Sequence, residues 1–357
     1  MIRLSKIFYM NQRTHNIINI IKNNPGIHAK DILVQLNEIQ TKPVTKITIN
    51  RELVTLISSH MITREGKGPA TKYSISPSYK INSPVDMQEY FSLSPDQRQS
   101  AHSFSQDIFN TLNTIEIFNT QELQFLTQLN TQYQKNIQSL DPEIIKKEFE
   151  RLLIELSWKS SQIEGNTYDL LETEFLIKEK MESKGHTKME SIMILNHKKA
   201  FDFIQKMNVK NIDIKYVQNI HDQLIQDMNI SKEIRSSAVG ITGTNYKPLK
   251  DQLHIKQALQ TACEIVNSKK DIFSKALLIN LLIAYIQPFN DGNKRTSRLA
   301  GNAVLLANDH CPLSFRSIDT LEYKKAIIIF YESNNITHFK RLFMEQFKFS
   351  VGNYFQK

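Results

Sequence analysis

The chain has 357 residues, 40% of them hydrophobic, which is enough for a buried core and points to two or three domains. Its two cysteines, Cys263 and Cys311, exclude a disulfide framework and a four-cysteine zinc site, and read as small buried residues in a reducing compartment. No stretch approaches the ~20 apolar residues of a membrane span, and the first ten residues lack a signal-peptide apolar region. The expectation is therefore a soluble, cytoplasmic protein with no membrane partner. The net charge of +9 is unevenly placed: residues 1–80 hold 12 Lys/Arg against four Asp/Glu, a net +8, and the remainder carries +1. Basicity confined to one segment points to a polyanionic partner for that segment.

Residues 1–80 read as three short helices and a hairpin. In RTHNIINIIKNN, Ile17, Ile20 and Ile21 share a helical face, and Pro25-Gly26 stops the run. HAKDILVQLN places Ile32, Leu33 and Leu36 together, and a turn follows at Lys42-Pro43. VTKITINRELVTLISSHMI aligns Ile49, Leu53, Leu56 and Ile57, and ITREGKGPATKYSIS gives two short strands around a basic, Gly-containing tip. This order resembles a winged helix-turn-helix domain. The resemblance makes the third helix a DNA-recognition helix, with Thr45, Lys46, Thr48, Asn50 and Arg51 toward the major groove and Lys67 and Lys72 on the wing contacting phosphates. A protein-binding winged helix is the alternative reading.

Residues 81–105 are rich in Ser, Pro and polar groups and read as a linker or docking segment, engaging through Tyr90 and Phe91. From there the pattern is helical: a core over 106–320 and C-terminal helices over 321–357. In the last stretch Phe339, Leu342, Phe343 and Phe347 read as the buried face of a helix, with a homodimer contact as the alternative.

The stretch QPFNDGNKRTSR, residues 287–298, concentrates the chemistry. An apolar helix, KALLINLLIAYI, is stopped by Pro288. Gly292 permits a tight turn, and a new helix then begins whose free N–H groups form an anion site. Lys294, Arg295 and Arg298 add positive charge. Asp291 adds the lone carboxylate that commonly holds Mg²⁺ beside bound phosphates. Phe289 reads as the buried anchor of the loop.

These twelve residues resemble the motif of the Fic (Fic/Doc) family, His-x-Phe-x-Asp/Glu-Gly-Asn-Gly/Lys-Arg-x-x-Arg, with Gln287 where the family has His. The resemblance implies a mainly α fold: an all-helical Fic core with a short β-hairpin flap, here preceded by the winged helix domain. It implies transfer of AMP from ATP to a Ser, Thr or Tyr hydroxyl of a protein, with Mg²⁺. Gln287 then stands at the position of the residue that takes the hydroxyl proton, and Asp291 is the Mg²⁺ ligand. Arg295 acts in catalysis, and Gly292, Asn293, Lys294, Arg295 and Arg298 cradle the phosphates. SSQIEGN, residues 160–166, resembles the inhibitory motif of that family, so that Ser160, Glu164 and Gly165 would place a carboxylate on Arg298. IRSSAVGITGTNYKPL, residues 234–249, resembles its flap. There Gly240, Ile241, Thr242, Gly243 and Thr244 would hold a target peptide by strand addition, with Tyr246 near the nucleotide.

Two departures bear on activity. A neutral amide at Gln287 cannot accept a proton near pH 7, and general-base help is worth about 10²–10⁴ in rate, so a slow transferase is expected. His254 is the histidine considered as a substitute. Lys294 stands where Gly is commoner and resembles the Doc branch, which transfers phosphate. The competing readings are an inactive, ATP-binding transcriptional regulator and a Doc-like phosphotransferase.

Overall fold

A computed structural model describes residues 11–98, 103–207 and 211–356. The N-terminal segment examined for a signal sequence lies outside the described residues, as do residues 99–102 of the expected linker. The chain is mainly helical and divides into two compact units, Met1–Pro84 and Val85–Lys357.

The first unit runs α1 (Gln12–Asn23), β1 (Ile27–His28), α2 (Ala29–Ile39), α3 (Lys46–Ser58), β2 (Ile62–Glu65), β3 (Lys72–Ile75) and α4 (Pro77–Asn82). The strands form one antiparallel sheet in the order β1-β3-β2, with Ile27 opposite Tyr73 and Ile62 opposite Ile75. The isoleucines and leucines that recur at helical spacing close the core: Ile17, Ile21, Ile32, Leu36, Ile49 and Leu53 are all buried. Helix α3 begins where the Thr45 hydroxyl accepts the Thr48 N–H at 3.3 Å. The two threonine hydroxyls are also 3.1 Å apart. Thr45 and Thr48, expected as nucleic-acid contacts, form the capping turn of α3, Thr45 exposed and Thr48 half-buried, and Ile47, Asn50, Arg51 and Val54 are exposed along the helix. Lys46, Lys67 and Lys72 are exposed as well.

The second unit begins with α5 (Met87–Ser92), α6 (Asp107–Thr114), α7 (Thr120–Ser139), α8 (Pro142–Ile163) and α9 (Leu170–Glu179). It continues with α10 (Lys188–Gln205), α11 (Ile214–Leu224), α12 (Gln252–Ser268), α13 (Ile272–Ile286), α14 (Asn293–Leu306), α15 (Thr320–Ser333) and α16 (Thr337–Asn353). Helix α13 is apolar on all sides and every residue from Ala276 to Ile286 is buried, so it forms the axis around which α12, α14 and α15 pack. Phe339, Leu342, Phe343 and Phe347 of α16 are buried within the chain itself.

Tyr90 of α5 donates to Glu332 of α15 at 2.7 Å, and Arg98 grips the same carboxylate with two nitrogens at 3.0 and 2.8 Å. Both partners of that ion pair are buried. Arg98 also reaches the Gly243 carbonyl at 2.7 Å, and Thr244 donates to Glu332 at 2.6 Å. The segment expected as a flap hairpin is therefore a loop tied down at its far end. It pairs with no strand of its own among the described residues, and its single bridge joins Lys247 to Ser103. Arg98 and Glu332 supply from outside the loop the bonds that a hairpin partner would have made.

Helices α13 and α14 pack closely at Gly301, where an added Cβ would stand 3.0 Å from the Ala276 carbonyl oxygen. Gly301→Val is expected to force the two helices apart and destabilise the unit by about 1–3 kcal/mol. Thermal unfolding of the variant should show a melting temperature several degrees lower; an unchanged transition would mean that the contact yields.

Candidate active site

The loop between α13 and α14 is built from local caps. Gln287 ends α13 in the left-handed region, at φ 52°, and its side-chain amide donates to the Ala284 carbonyl at 2.6 Å and lies 3.4 Å from the Tyr331 hydroxyl. It is 7% exposed. Gly292 carries the chain into α14 at φ 77°, a conformation glycine adopts without cost. Between them Asn293 staples the loop, accepting the Phe289 N–H at 2.8 Å and donating to the Phe289 carbonyl at 2.7 Å. Both ends of the Asn293 amide are therefore committed to the backbone. The Asn293 side chain thus shapes the loop, while its backbone N–H lies in the open first turn of α14.

Two residues that the sequence reading missed hold this loop. Arg235 donates through Nε to the Gln287 carbonyl at 2.6 Å, through its backbone N–H to the Pro288 carbonyl at 3.0 Å, and through Nη1 to the Ser237 carbonyl. A cation over the C-terminal carbonyls of an apolar helix is favourable on electrostatic grounds. His221 of α11 stacks on Phe289 with ring centroids 3.7 Å apart and bonds to the Asp291 carbonyl at 2.9 Å. A carbonyl can only accept, so Nε2 carries the proton. Burial, partly offset by that bond, pushes His221 down to about 4, so it is neutral. Its signal was present in the sequence: Val217, Ile220, His221 and Leu224 share one helical face.

The charged groups converge on the first turn of α14. The N–H groups of Asn293, Lys294 and Arg295 precede the first helical bond, which joins Thr296 to the Gly292 carbonyl at 2.8 Å. Asp291 is exposed; its Oδ1 accepts the Gly292 N–H at 2.6 Å, and its Oδ2 lies 3.3 Å from Arg295. No group of three or more His, Cys, Asp or Glu side chains that could hold a metal occurs among the described residues. A cation at Asp291 would thus depend on ligands brought by the substrate, which is the usual arrangement for Mg²⁺ with phosphates.

Glu164, at the C-cap of α8, lies between two cations one turn apart on α14. Its Oε1 is 2.9 Å from Arg298 Nη2 and its Oε2 is 3.4 Å from Lys294 Nζ. Burial acts to raise its pKa, but Arg298, then Lys294 and Arg295, outweigh that and hold the carboxyl below the usual carboxylate range. Gly165 turns the chain away at φ 100°. Arg298 has no exposed surface; it also donates to the Ser160 hydroxyl at 2.8 Å and to the Ser160 carbonyl at 2.9 Å. Because arginine only donates, the Ser160 proton is left for His197 Nε2, 2.7 Å away. His197 accordingly carries its proton on Nδ1. Burial and the neighbouring Arg298 hold it neutral, its pKa well below the ordinary range.

The remaining expected residues fall as follows. Gly240 and Thr242 of the flap are exposed and Ile241 is half-buried, while Gly243 and Thr244 are held as described above. Tyr246, expected near a nucleotide, is buried. It is 2% exposed, stacks on Tyr285 and Tyr331, and donates to the Tyr285 carbonyl at 2.8 Å, so it belongs to the aromatic layer behind Gln287. His254 sits at the exposed start of α12, 3.3 Å from Asp251, and is no part of the loop's hydrogen-bonding network.

Residues 211–305 match the model of the Fic/DOC family. Among curated proteins the chain is similar to a protein adenylyltransferase Fic of Nematostella vectensis, with 25% identity over 172 residues, covering 46% of this chain and 40% of that protein. It is also similar to a probable protein adenylyltransferase of Aquifex aeolicus, with 28% identity over 100 residues, covering 28% of this chain and 31% of that one. The chain thus spans well under half the length of either relative. Among solved structures it is similar to Fic-1 (residues 134–508) from C. elegans, with a TM-score of 0.58, 17% identity and coverage of 65% of this chain and 71% of that one. A Fic-domain signalling protein from Bacteroides thetaiotaomicron gives a TM-score of 0.55, 20% identity and coverage of 64% and 94%. These likenesses establish the shared fold, and with the matched family model they identify residues 211–305 as a Fic/DOC family domain.

Proposed function

We propose that this protein transfers AMP from ATP to a Ser, Thr or Tyr hydroxyl of another protein, in a site that Glu164 keeps closed. The observation that carries this reading is the seat of Glu164: its carboxylate occupies the Arg298 and Lys294 cations at the helix N-terminus where the terminal phosphates of ATP would lie. Two relatives named as adenylyltransferases support the choice of AMP transfer. Open, the site offers the first-turn N–H groups of α14 with Lys294, Arg295 and Arg298 for the phosphates, and Asp291 for Mg²⁺, which would offset phosphate charge. The acceptor oxygen bonds to the α-phosphorus, the bond to pyrophosphate breaks, and pyrophosphate leaves. Gln287 cannot take the hydroxyl proton, which passes to solvent, so positioning and charge carry the rate. The exposed tip of the flap at Gly240–Thr242 is where a target backbone would dock.

Two features belong to other readings. The Gln287 amide points inward to Ala284 and Tyr331, which favours a nucleotide-binding regulator with little turnover. Lys294 favours a Doc-like phosphotransferase. We further infer that the first unit is a winged helix domain that binds DNA. Supporting this are its helix and strand order and its ten Lys/Arg against four acids over residues 11–84, a net +6.

Glu164→Gly protein, incubated with Mg²⁺ and ATP labelled at either the α- or the γ-phosphate, is expected to label protein from α-labelled ATP only, and to bind ATP about tenfold or more tightly than the unaltered chain. Label from the γ-position alone would establish the phosphotransferase, and tight binding without label would establish the regulator. Adding Gln287→His to that variant should raise the rate by about 10²–10⁴ by restoring a proton acceptor; no gain in single-turnover assays would remove the base from the account.

Lys294→Met separates the two partners of Glu164. In the Glu164→Gly background it should weaken ATP binding, because only a phosphate contact is lost. In the otherwise unaltered chain the loss should be smaller, because the clamp on Glu164 loosens too. Equal losses by titration calorimetry would show that Lys294 has no part in holding Glu164.

A further inference from the structure

Helix α3 carries two aliphatic side chains on its outward face. Ile47 is 73% exposed and Val54 is 62% exposed, two turns apart on the same line, with Asn50 and Arg51 between them. Other exposed aliphatic side chains occur in the chain, Val34 and Ile39 among them, and this pair is set apart by lying on one helix line flanked by cations. The surroundings decide the chemistry of a partner. Lys46 and Arg51 flank the line on the helix, and Lys67 and Lys72 stand exposed on the hairpin. The one acid on α3, Glu52, is turned aside to Thr14 and Arg13. A protein groove would take a helix stripe of three or four large apolar residues at i, i+3, i+4 and i+7. Here Asn50 and Arg51 interrupt that stripe.

We propose that this face reads thymine in duplex DNA, with Ile47 and Val54 packing on the 5-methyl groups of two thymines and Asn50 addressing an adjacent adenine. The methyl group is the only apolar feature in the major groove, and it distinguishes A·T from every other pair there. Seven residues of helix rise about 10.5 Å, and base pairs are spaced about 3.4 Å apart. The two methyls therefore lie within about three base pairs of each other. Arg51 and the lysines supply affinity to the flanking phosphates without sequence preference. The proposal rests on the DNA-binding reading of this unit and goes beyond it by naming the bases.

The test uses the full chain and a pool of duplexes with a randomised 20-base-pair core, enriched by rounds of binding. The enriched pool is amplified once with dTTP and once with dUTP, which removes only the 5-methyl groups. The expected result is tighter binding of the thymine pool, by about fourfold for each methyl group buried. Ile47→Ala and Val54→Ala should each reduce that preference, and both positions are exposed, so folding is not at stake. Arg51→Ala should weaken binding to the two pools equally. Equal binding of the two pools by the unaltered chain would overturn the proposal and leave DNA binding standing. No retention of either pool at low salt would overturn both and leave the face to a protein partner.

Discussion

A guanidinium with no exposed surface is the constraint on which the second unit is built. Arg298 has left water, and an unpaired buried charge costs several kcal/mol, so every group around it must answer that charge. Ser160 answers with a hydroxyl and a carbonyl, and Glu164 with a carboxylate, all from the last turn of α8. The end of α8 is therefore held at the start of α14. Under the proposed function, a carboxylate so held is also the group that a phosphate would displace. On that reading one ion pair would govern both the seat of α8 and the access of nucleotide, and Lys294 adds a second cation to the same carboxylate.

The loop itself is rigid for reasons that have little to do with chemistry on a substrate. Its glycine is required by a left-handed turn, and its asparagine is spent on two bonds to Phe289. Arg235 straps it to the flap segment, and a neutral His221 props it from below. Preorganisation of this kind keeps the first-turn N–H groups of α14 aimed at one point, which is what an electrostatic catalyst needs. Gln287 fits the same scheme. Its amide donates to the Ala284 carbonyl at the end of α13 and lies against Tyr331 of the tyrosine layer formed with Tyr246 and Tyr285.

The first unit solves a different problem. Its core is a compact set of isoleucines and leucines, and its surface keeps nearly all its basic groups in water. Solvated cations are inexpensive to the fold and attract a polyanion over a Debye length. Val34 and Ile39 of α2 and Ile47 and Val54 of α3 are exposed aliphatic side chains on that surface, and an aliphatic side chain left in water contributes nothing to the fold.

Much was legible in the sequence because much was local. Helical periodicity marked the buried faces of α1, α2, α3 and α16, and composition marked α13 as an apolar helix, since burial on one face or on all faces leaves its trace in neighbouring residues. The loop at 287–298 was legible because a glycine turn, a carboxylate and a helix N-terminus act within one or two turns of chain. The sequence by itself thus determined which residues gather at the loop and that the fold is mainly helical. Tertiary structure alone decided what those residues do for one another. It buried Tyr246 against Tyr285 and Tyr331, brought Lys294 to Glu164, and placed Arg235 and His221 against the loop. It also replaced the expected hairpin by a loop fastened to Arg98 and Glu332. Most of these contacts join residues tens to hundreds of positions apart, where periodicity carries no information and only the packing of whole helices sets which polar groups meet.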